Sequence, residues 1–205
     1  MAEAPIIGLI LAGGRALRMG GGDKALMPLA GRPILAHVVE RLRGQCDGLL
    51  ISANGDPARL MGFGLPVVAD AVPDFAGPLA GVLSGLDWAA AHRPDAGSLL
   101  SVAADTPFIP GDLARRLRQA RAAAGLPLAC AASAGRRHYA VCLWPVGLRD
   151  ELRRALAAGE RRLGRLIEGQ GVAVADWPAK PLDPFFNVNT PEDLVEAERL
   201  AAEAV

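Results

Sequence analysis

The chain has 205 residues, 51% of them hydrophobic, which is enough for one sizeable domain spanning 1–205 with a full core. Its 22 basic and 22 acidic residues cancel, which argues against a nucleic-acid-binding surface, and its 24 Gly and 16 Pro stay below the share that marks disorder. Cys46, Cys130 and Cys142 lack Cys-x-x-Cys spacing, and His37, His92 and His138 are scattered, so buried reduced thiols are expected rather than a disulfide framework or a zinc site. The opening Met-Ala-Glu-Ala-Pro has no basic segment, and the apolar run after it is too short for a signal core or a membrane span. A soluble cytoplasmic protein, without membrane or nucleic-acid partners, is the expectation.

Ile6 to Leu11 is apolar apart from Gly8, the pattern of a strand buried on both faces. A glycine-rich loop follows, to Lys24. Pro33 suits the first turn of a helix whose stripe is Ile34, Leu35, Val38, Val39 and Leu42, with His37 off the stripe and on the surface. Strands are expected at 48–53, ending at Asn54-Gly55-Asp56-Pro57, and at 66–69, ending at Asp70. Leu79, Val82, Leu83 and Leu86 mark the next helix. A strand at 98–103 runs into Ala104-Asp105-Thr106-Pro107, and a helix covers about 111–123. Segments 128–132 and 139–144 flank Ala134-Gly135-Arg136-Arg137 as a hairpin-like pair. Two arginine-rich helices follow to about Gln170, then a short strand at 172–175. A last helix starts at Thr190-Pro191-Glu192-Asp193, with Thr190 as N-cap. Strands alternating with helices predict an α/β fold around a mostly parallel sheet.

The loop after the first strand holds Gly13, Gly14, Gly20, Gly21 and Gly22 with Arg15, Arg18 and Lys24. Glycine lets backbone N–H groups turn onto an anion, and three cations beside them favour phosphate. It is not a Walker loop, because Lys24 precedes Ala25 rather than a Ser or Thr. It is not the Gly-x-Gly-x-x-Gly dinucleotide turn either, since Gly14 and Gly20 are too far apart and no helix can start before Gly31-Arg32-Pro33. Lysine occurs only at Lys24 and Lys180, so Lys24 is poor surface filler.

In open α/β sheets ligands sit at the carboxyl ends of the strands. That rule places the loop, Asn54, Asp70 and Asp105 on one rim. Taken alone, Asp105 suits a turn-starting aspartate as well as a magnesium ligand, and Asn54 and Asp70 suit Asx turns. Gly77-Pro78-Leu79-Ala80-Gly81 reads equally as loop-to-helix geometry or an anion site. Arg136, Arg137 and His138 read as a solvated turn that could also meet an anion. Asn187 and Asn189, two apart on an extended segment, point the same way.

Leu11-Ala12-Gly13-Gly14-Arg15-Ala16-Leu17-Arg18-Met19-Gly20-Gly21-Gly22-Asp23-Lys24 resembles the nucleotidyltransferase signature Leu-Ala-Gly-Gly-x-x-x-Arg-Met-Gly-Gly-x-Asp-Lys, in the form carried by the molybdenum cofactor guanylyltransferase (MobA) family. Asp105-Thr106-Pro107 resembles that family's Asp-x-Pro motif, with Ala104 where Cys is usual. Asn187-Val188-Asn189-Thr190-Pro191-Glu192-Asp193-Leu194 resembles its Asn-x-Asn-Thr-Pro-Glu-Asp-Leu, and Gly77–Gly81 its Gly-Pro-Leu-Ala-Gly. The matches span nearly the whole chain.

The resemblance implies a three-layer α/β/α nucleotide-binding fold, Rossmann-like and of the nucleotide-diphospho-sugar-transferase type. It implies transfer of GMP from GTP to molybdenum-bound molybdopterin. Arg18, Lys24 and Asp105 are then catalytic. Leu11, Ala12, Gly13, Gly14, Lys24, Asn54, Asp70, Asp105, Asn187 and Asn189 bind the nucleotide, and Asp105 binds Mg2+, or Mn2+ in its place, with Asn189 a candidate second ligand. A monomer is implied, in contact with the proteins that deliver the pterin and mature molybdoenzymes. The nearest alternatives are a cytidylyltransferase of the same pathway and a sugar-phosphate nucleotidyltransferase. From another class comes a non-catalytic GTP-binding regulator, which would have no need of a metal ligand beside Lys24.

Overall fold

The computed structural model describes residues 3–13, 23–70 and 77–203. Gly14, Arg15 and Arg18 lie outside them. Its strands are β1 (Ile6–Leu11), β2 (Pro28–Leu29), β3 (Arg32–Pro33), β4 (Gly48–Ser52), β5 (Val67–Val68), β6 (Ser98–Ala103), β7 (Leu128–Ser133), β8 (Arg136–Pro145) and β9 (Val172–Trp177). Its helices are α1 (Ile34–Arg43), α2 (Pro78–His92), α3 (Leu113–Ala124), α4 (Arg149–Ala157), α5 (Leu163–Gln170) and α6 (Pro191–Glu203).

Seven strands form one sheet in the order β5-β4-β1-β6-β8-β7-β9, and β2 and β3 form a separate small hairpin. β1 pairs in parallel with β4 and β6, β4 with β5, and β7 with β9, whereas β8 is antiparallel to both neighbours. The α/β expectation holds, with β8 the antiparallel exception. The alternation of β1 shows why the sheet needs two covers. Ile6 and Ile10 join the core under α1 and α3, while Ile7 and Leu9 join the core under α2, α4 and α5. The result is three layers, α/β/α.

α2 lies unusually close to the sheet. A Cβ on Gly81 would stand 2.7 Å from Ser52 Oγ and 2.9 Å from Leu11 Cδ2, and one on Gly85 would stand 2.7 Å from Leu9 Cδ2. Glycines one turn apart let the helix settle onto β1 and β4 beside their carboxyl ends. The last helix begins as its sequence predicts. Thr190 Oγ1 accepts from Asp193 N at 3.1 Å, and Asp193 Oδ2 accepts from Thr190 N and Asn189 N at 2.9 Å each, a reciprocal cap.

Four local expectations change. Pro33 sits one residue before α1, paired with Pro28 in the small hairpin, rather than in the first helical turn. His37 is half-buried, not on the surface, because its Nε2 is 2.8 Å from the Leu29 carbonyl of that hairpin. The third helix starts at Leu113, two residues late. Arg136, Arg137 and His138 are not turn residues: they pair with Ser133, Ala132 and Ala131 as the start of β8. The turn is Ala134-Gly135, both in the left-handed region with φ of 49° and 74°. Among the described residues no helix is long and apolar enough to cross a membrane. The three cysteines are free. Burial and neighbouring Asp47 push the Cys46 thiol up to about 12, and burial pushes Cys130 up to about 11.

Candidate active site

Parallel pairing brings the carboxyl ends of β1, β4, β5 and β6 to one rim, and a cleft of about 860 Å³ opens there. The volume falls in the range of small-molecule sites. Leu11, Ala12, Gly13, Lys24, Asn54, Asp70, Gly81 and Asp105 line it. Ladder bonds continue past the strand ends: Ala12 N donates to Ser52 O at 2.8 Å, and Ala104 N to Leu11 O at 3.1 Å. They carry Gly13 and Asp105 side by side into the cleft.

Asp105 is the hub. Its Oδ2 accepts from Lys24 Nζ in a short ion pair, and its Oδ1 accepts from Asn187 Nδ2 at 2.8 Å. Lys24 Nζ also donates to Asn189 Oδ1 at 2.8 Å. Both ends of the Lys24–Asp105 pair are 17% exposed, so their charges act through a partly desolvated medium. Val188, between the two asparagines, is buried, and its N–H donates to Asp105 O at 2.9 Å. The period-two geometry thus turns both asparagines toward one carboxylate–ammonium pair from 80 residues further along the chain or more.

Lys24 is held from behind by the motif's Asp23 and by Arg59, which the motifs left unmarked. It opens a short 3-10 turn, 24–26, capped by Asp23, whose Oδ1 accepts from Ala25 N at 3.1 Å. Asp23 Oδ2 accepts from Arg59 Nε at 2.6 Å. Arg59 also donates from Nη1 to Asp56 O at 2.6 Å and from Nη2 to Asn54 O at 2.9 Å. One guanidinium therefore ties the Lys24 turn to the Asn54–Asp56 loop. Its fork geometry allows this; an ammonium could not span the three acceptors.

Asn54 and Asp70 meet each other. Asn54 Nδ2 donates to Asp70 Oδ2 at 2.7 Å, and Asp70 N donates to Asn54 Oδ1 at 3.0 Å. Ser52 Oγ donates to Asp70 Oδ1 at 3.4 Å. The pair shapes one end of the cleft, opposite Lys24 and Asp105 in role: neutral amide and carboxylate at one end, cation and carboxylate at the other. Among the described residues no atom lies within 4 Å of a Cβ built on Gly13, and its φ is not left-handed, so the backbone strain that a positive φ there would bring does not arise.

A cleft at the carboxyl rim of a parallel sheet, with a lysine against a carboxylate, is where an open α/β fold takes a small ligand. The family model described as "MobA-like NTP transferase domain" matches residues 8–174. The molybdenum cofactor guanylyltransferase of Rhodopseudomonas palustris (strain BisB5) is 57% identical over 203 residues, 98% of this chain and 97% of that one. That of Bradyrhizobium sp. (strain ORS 278) is 57% identical over 196 residues, 95% and 92% of the two chains. Among solved structures, molybdopterin-guanine dinucleotide biosynthesis protein A from Archaeoglobus fulgidus superposes with a TM-score of 0.74 at 23% identity, covering 96% of this chain and 99% of that one. A CMP:2-keto-3-deoxy-manno-octonic acid synthetase complexed with CTP gives 0.76 at 14%, covering 98% and 100%; these two likenesses concern the fold alone. The chain is an enzyme, a nucleotidyltransferase. It belongs to the molybdenum cofactor guanylyltransferase family of MobA-like NTP transferases.

Proposed function

We infer that this chain transfers GMP from GTP to molybdenum-bound molybdopterin and releases pyrophosphate. The observation that carries the reading is the meeting of Lys24, Asp105, Asn187 and Asn189 at the cleft rim, in a chain whose full-length relatives are guanylyltransferases. An oxygen of the acceptor's terminal phosphate attacks the α-phosphorus of GTP, the bond from that phosphorus to the β-phosphate bridge breaks, and pyrophosphate leaves. The protein has little covalent work; it positions groups and neutralises charge.

Lys24 neutralises charge gathering on the reacting phosphates, and Arg18 and the Leu11–Gly14 backbone share the nucleotide with it. Asn54 and Asp70 face the guanosine end. The donor set of Asp105 and Asn189 is all oxygen and carries one carboxylate, which fits Mg2+ or Mn2+ completed by substrate phosphates rather than a closed protein cage. Among the described residues no group of three or more His, Cys, Asp or Glu could hold a metal alone. When bound, the ion would neutralise phosphate charge at Asp105. On the same reading the enzyme works in the cytoplasm as a single-domain monomer that meets pterin-delivering and molybdoenzyme-maturation proteins.

A panel of GTP, CTP, ATP and UTP with molybdenum-bound molybdopterin and Mg2+, read by pyrophosphate release, tests the reading. GTP should lead clearly. A lead for CTP would make the chain a cytidylyltransferase, and release with a sugar phosphate instead of the pterin would make it a sugar nucleotidyltransferase. GTP binding without any release would leave a regulator.

Gly13 is the position for base choice. Cytidylyltransferases that resemble this chain carry Ala there. Gly13 lines the cleft, and a methyl there would meet no atom of the described residues within 4 Å, so on this reading it meets the nucleotide. Gly13→Ala should leave Tm unchanged and lower kcat/KM for GTP about tenfold or more, the scale of one misplaced methyl in a fitted pocket, with CTP affected less. An unchanged GTP-to-CTP ratio would move base reading to Asn54 and Asp70.

Arg59→Ala frees both the Lys24 turn and the Asn54 loop from each other. The expected result is a fall of about ten- to a hundredfold in kcat/KM for GTP, as for loss of a partly buried charge-assisted network. Arg59→Lys should recover only part of it. Circular dichroism of both variants checks that the sheet persists. Wild-type kinetics in Arg59→Ala would mean that the turn holds itself.

A further inference from the structure

We propose that a second recess, beside β8, receives the phosphomonoester end of the acceptor, and that Arg136 holds it. The proposal rests on the guanylyl-transfer reading above and adds where the second substrate enters. The recess, about 190 Å³, is lined by Thr106, Arg136, His138, Tyr139, Phe185 and Asn187. Its remaining walls include Ala103 and Ala140, which also line the nucleotide cleft, so the two spaces adjoin.

The backbone makes the room. Ala131 pairs with His138, but its neighbour Cys130 pairs with Cys142, so β8 uses four residues where β7 uses one. Tyr139, Ala140 and Val141 bulge out of the ladder beside the end of β6. Bulges of this kind re-aim side chains next to active sites. Ser101 fixes the bulge, donating to Ala140 O at 2.9 Å while it accepts from Trp144 Nε1 at 2.9 Å.

The charges then single out one residue. Arg137 is neutralised by Glu168, which also accepts from Tyr139 Oη at 2.6 Å. His138 packs against Phe185 with the rings tilted by 37° and their centroids 4.8 Å apart, and its Nε2 lies 2.7 Å from Ser133 Oγ. Ser133 gives its hydrogen to Asp183 at 2.8 Å, so the imidazole Nε2 is the donor to the hydroxyl. Burial, opposed by Asp183 and helped by a smaller push from Arg136, keeps the His138 pKa below its ordinary value. Among the described residues the Arg136 side chain makes neither ion pair nor hydrogen bond, and the residue is exposed where it lines the recess. It is the cation left for an incoming anion.

The path to the chemistry is short. Asn187, at the inner wall, donates to both Asp105 Oδ1 at 2.8 Å and Thr106 Oγ1 at 3.0 Å. An organic phosphate anchored by Arg136 reaches the Asp105 end of the cleft from the side away from Asn54 and Asp70. There its oxygen attacks the α-phosphorus as pyrophosphate leaves. The recess is sized for the phosphate and the atoms next to it, so the rest of the acceptor lies outward along β8.

Arg136→Gln and Arg136→Lys test this against wild type. The readouts are the KM for molybdenum-bound molybdopterin in the full reaction and the Kd for GTP by calorimetry without acceptor. Arg136→Gln should raise the acceptor KM about ten- to a hundredfold, as for loss of a charge-assisted bond to phosphate, with GTP Kd unchanged and Tm within a degree or so. Arg136→Lys should fall between the two. An unchanged acceptor KM overturns the proposal, and so does a weakened GTP Kd with the acceptor unaffected, which would give the recess to the nucleotide's own phosphates. Wild-type enzyme that makes no guanylated pterin would overturn the guanylyl-transfer reading, an outcome visible before any variant is compared.

Discussion

Asp105→Ala is expected to remove nearly all turnover while the sheet stays folded. The carboxylate stands past the end of β6 and outside both main cores, so its loss takes away no buried apolar area. What it does remove is the partner of Lys24, the acceptor for Asn187 and the proposed hold on the metal. Losing a charge clamp on transferring phosphoryl oxygens costs several kcal/mol, about a thousandfold or more in kcat/KM. Asp105→Asn separates charge from shape, since an amide oxygen can still accept from Asn187 but cannot supply the negative charge. It should be nearly as inactive as the alanine variant. Near-normal magnesium-dependent activity in either folded variant would refute the assignment, and denaturant unfolding would exclude a trivial loss of fold.

Lys24→Ala should lower kcat more than it raises the KM for GTP. The ammonium sits between Asp105 and Asn189, where phosphate charge is proposed to build in the transition state. Removing a fixed donor aimed at such charge costs about a hundred- to a thousandfold in kcat. A rise in KM with kcat unchanged would mark Lys24 as a uniform binder of ground state and transition state alike. Lys24→Arg should not restore the rate, because a planar fork cannot take the place of a point donor held by the 24–26 turn.

The parts of the fold legible in the sequence are those with strong apolar signals. β1, β4 and β6 are buried on both faces and read as mostly apolar runs, broken only by Gly or Ser. The cleft was legible too, because parallel strands put Gly13, Asn54, Asp70 and Asp105 on one rim whatever their family. Other features come from pairings that no local pattern encodes. The β2–β3 hairpin has strands two residues long, too short to show a period, and it is what half-buries His37. Arg136-Arg137-His138 has no apolar alternation, so it read as a turn, although the register with Ser133, Ala132 and Ala131 makes it strand. Arg59 sits in an unremarkable Pro-Ala-Arg stretch, and its importance lies in partners 36, 5 and 3 residues away. The mutual bonding of Asn54 and Asp70 was equally hidden: the sequence offered two rim polar groups, not a joined pair.

Mass spectrometry of the product from GTP, molybdenum-bound molybdopterin and Mg2+ tests guanylyl transfer most directly. The expected result is the acceptor heavier by one GMP unit, with one pyrophosphate released for each. Release of GDP and phosphate with the pterin unchanged, or a heavier product formed from CTP but not from GTP, would contradict it.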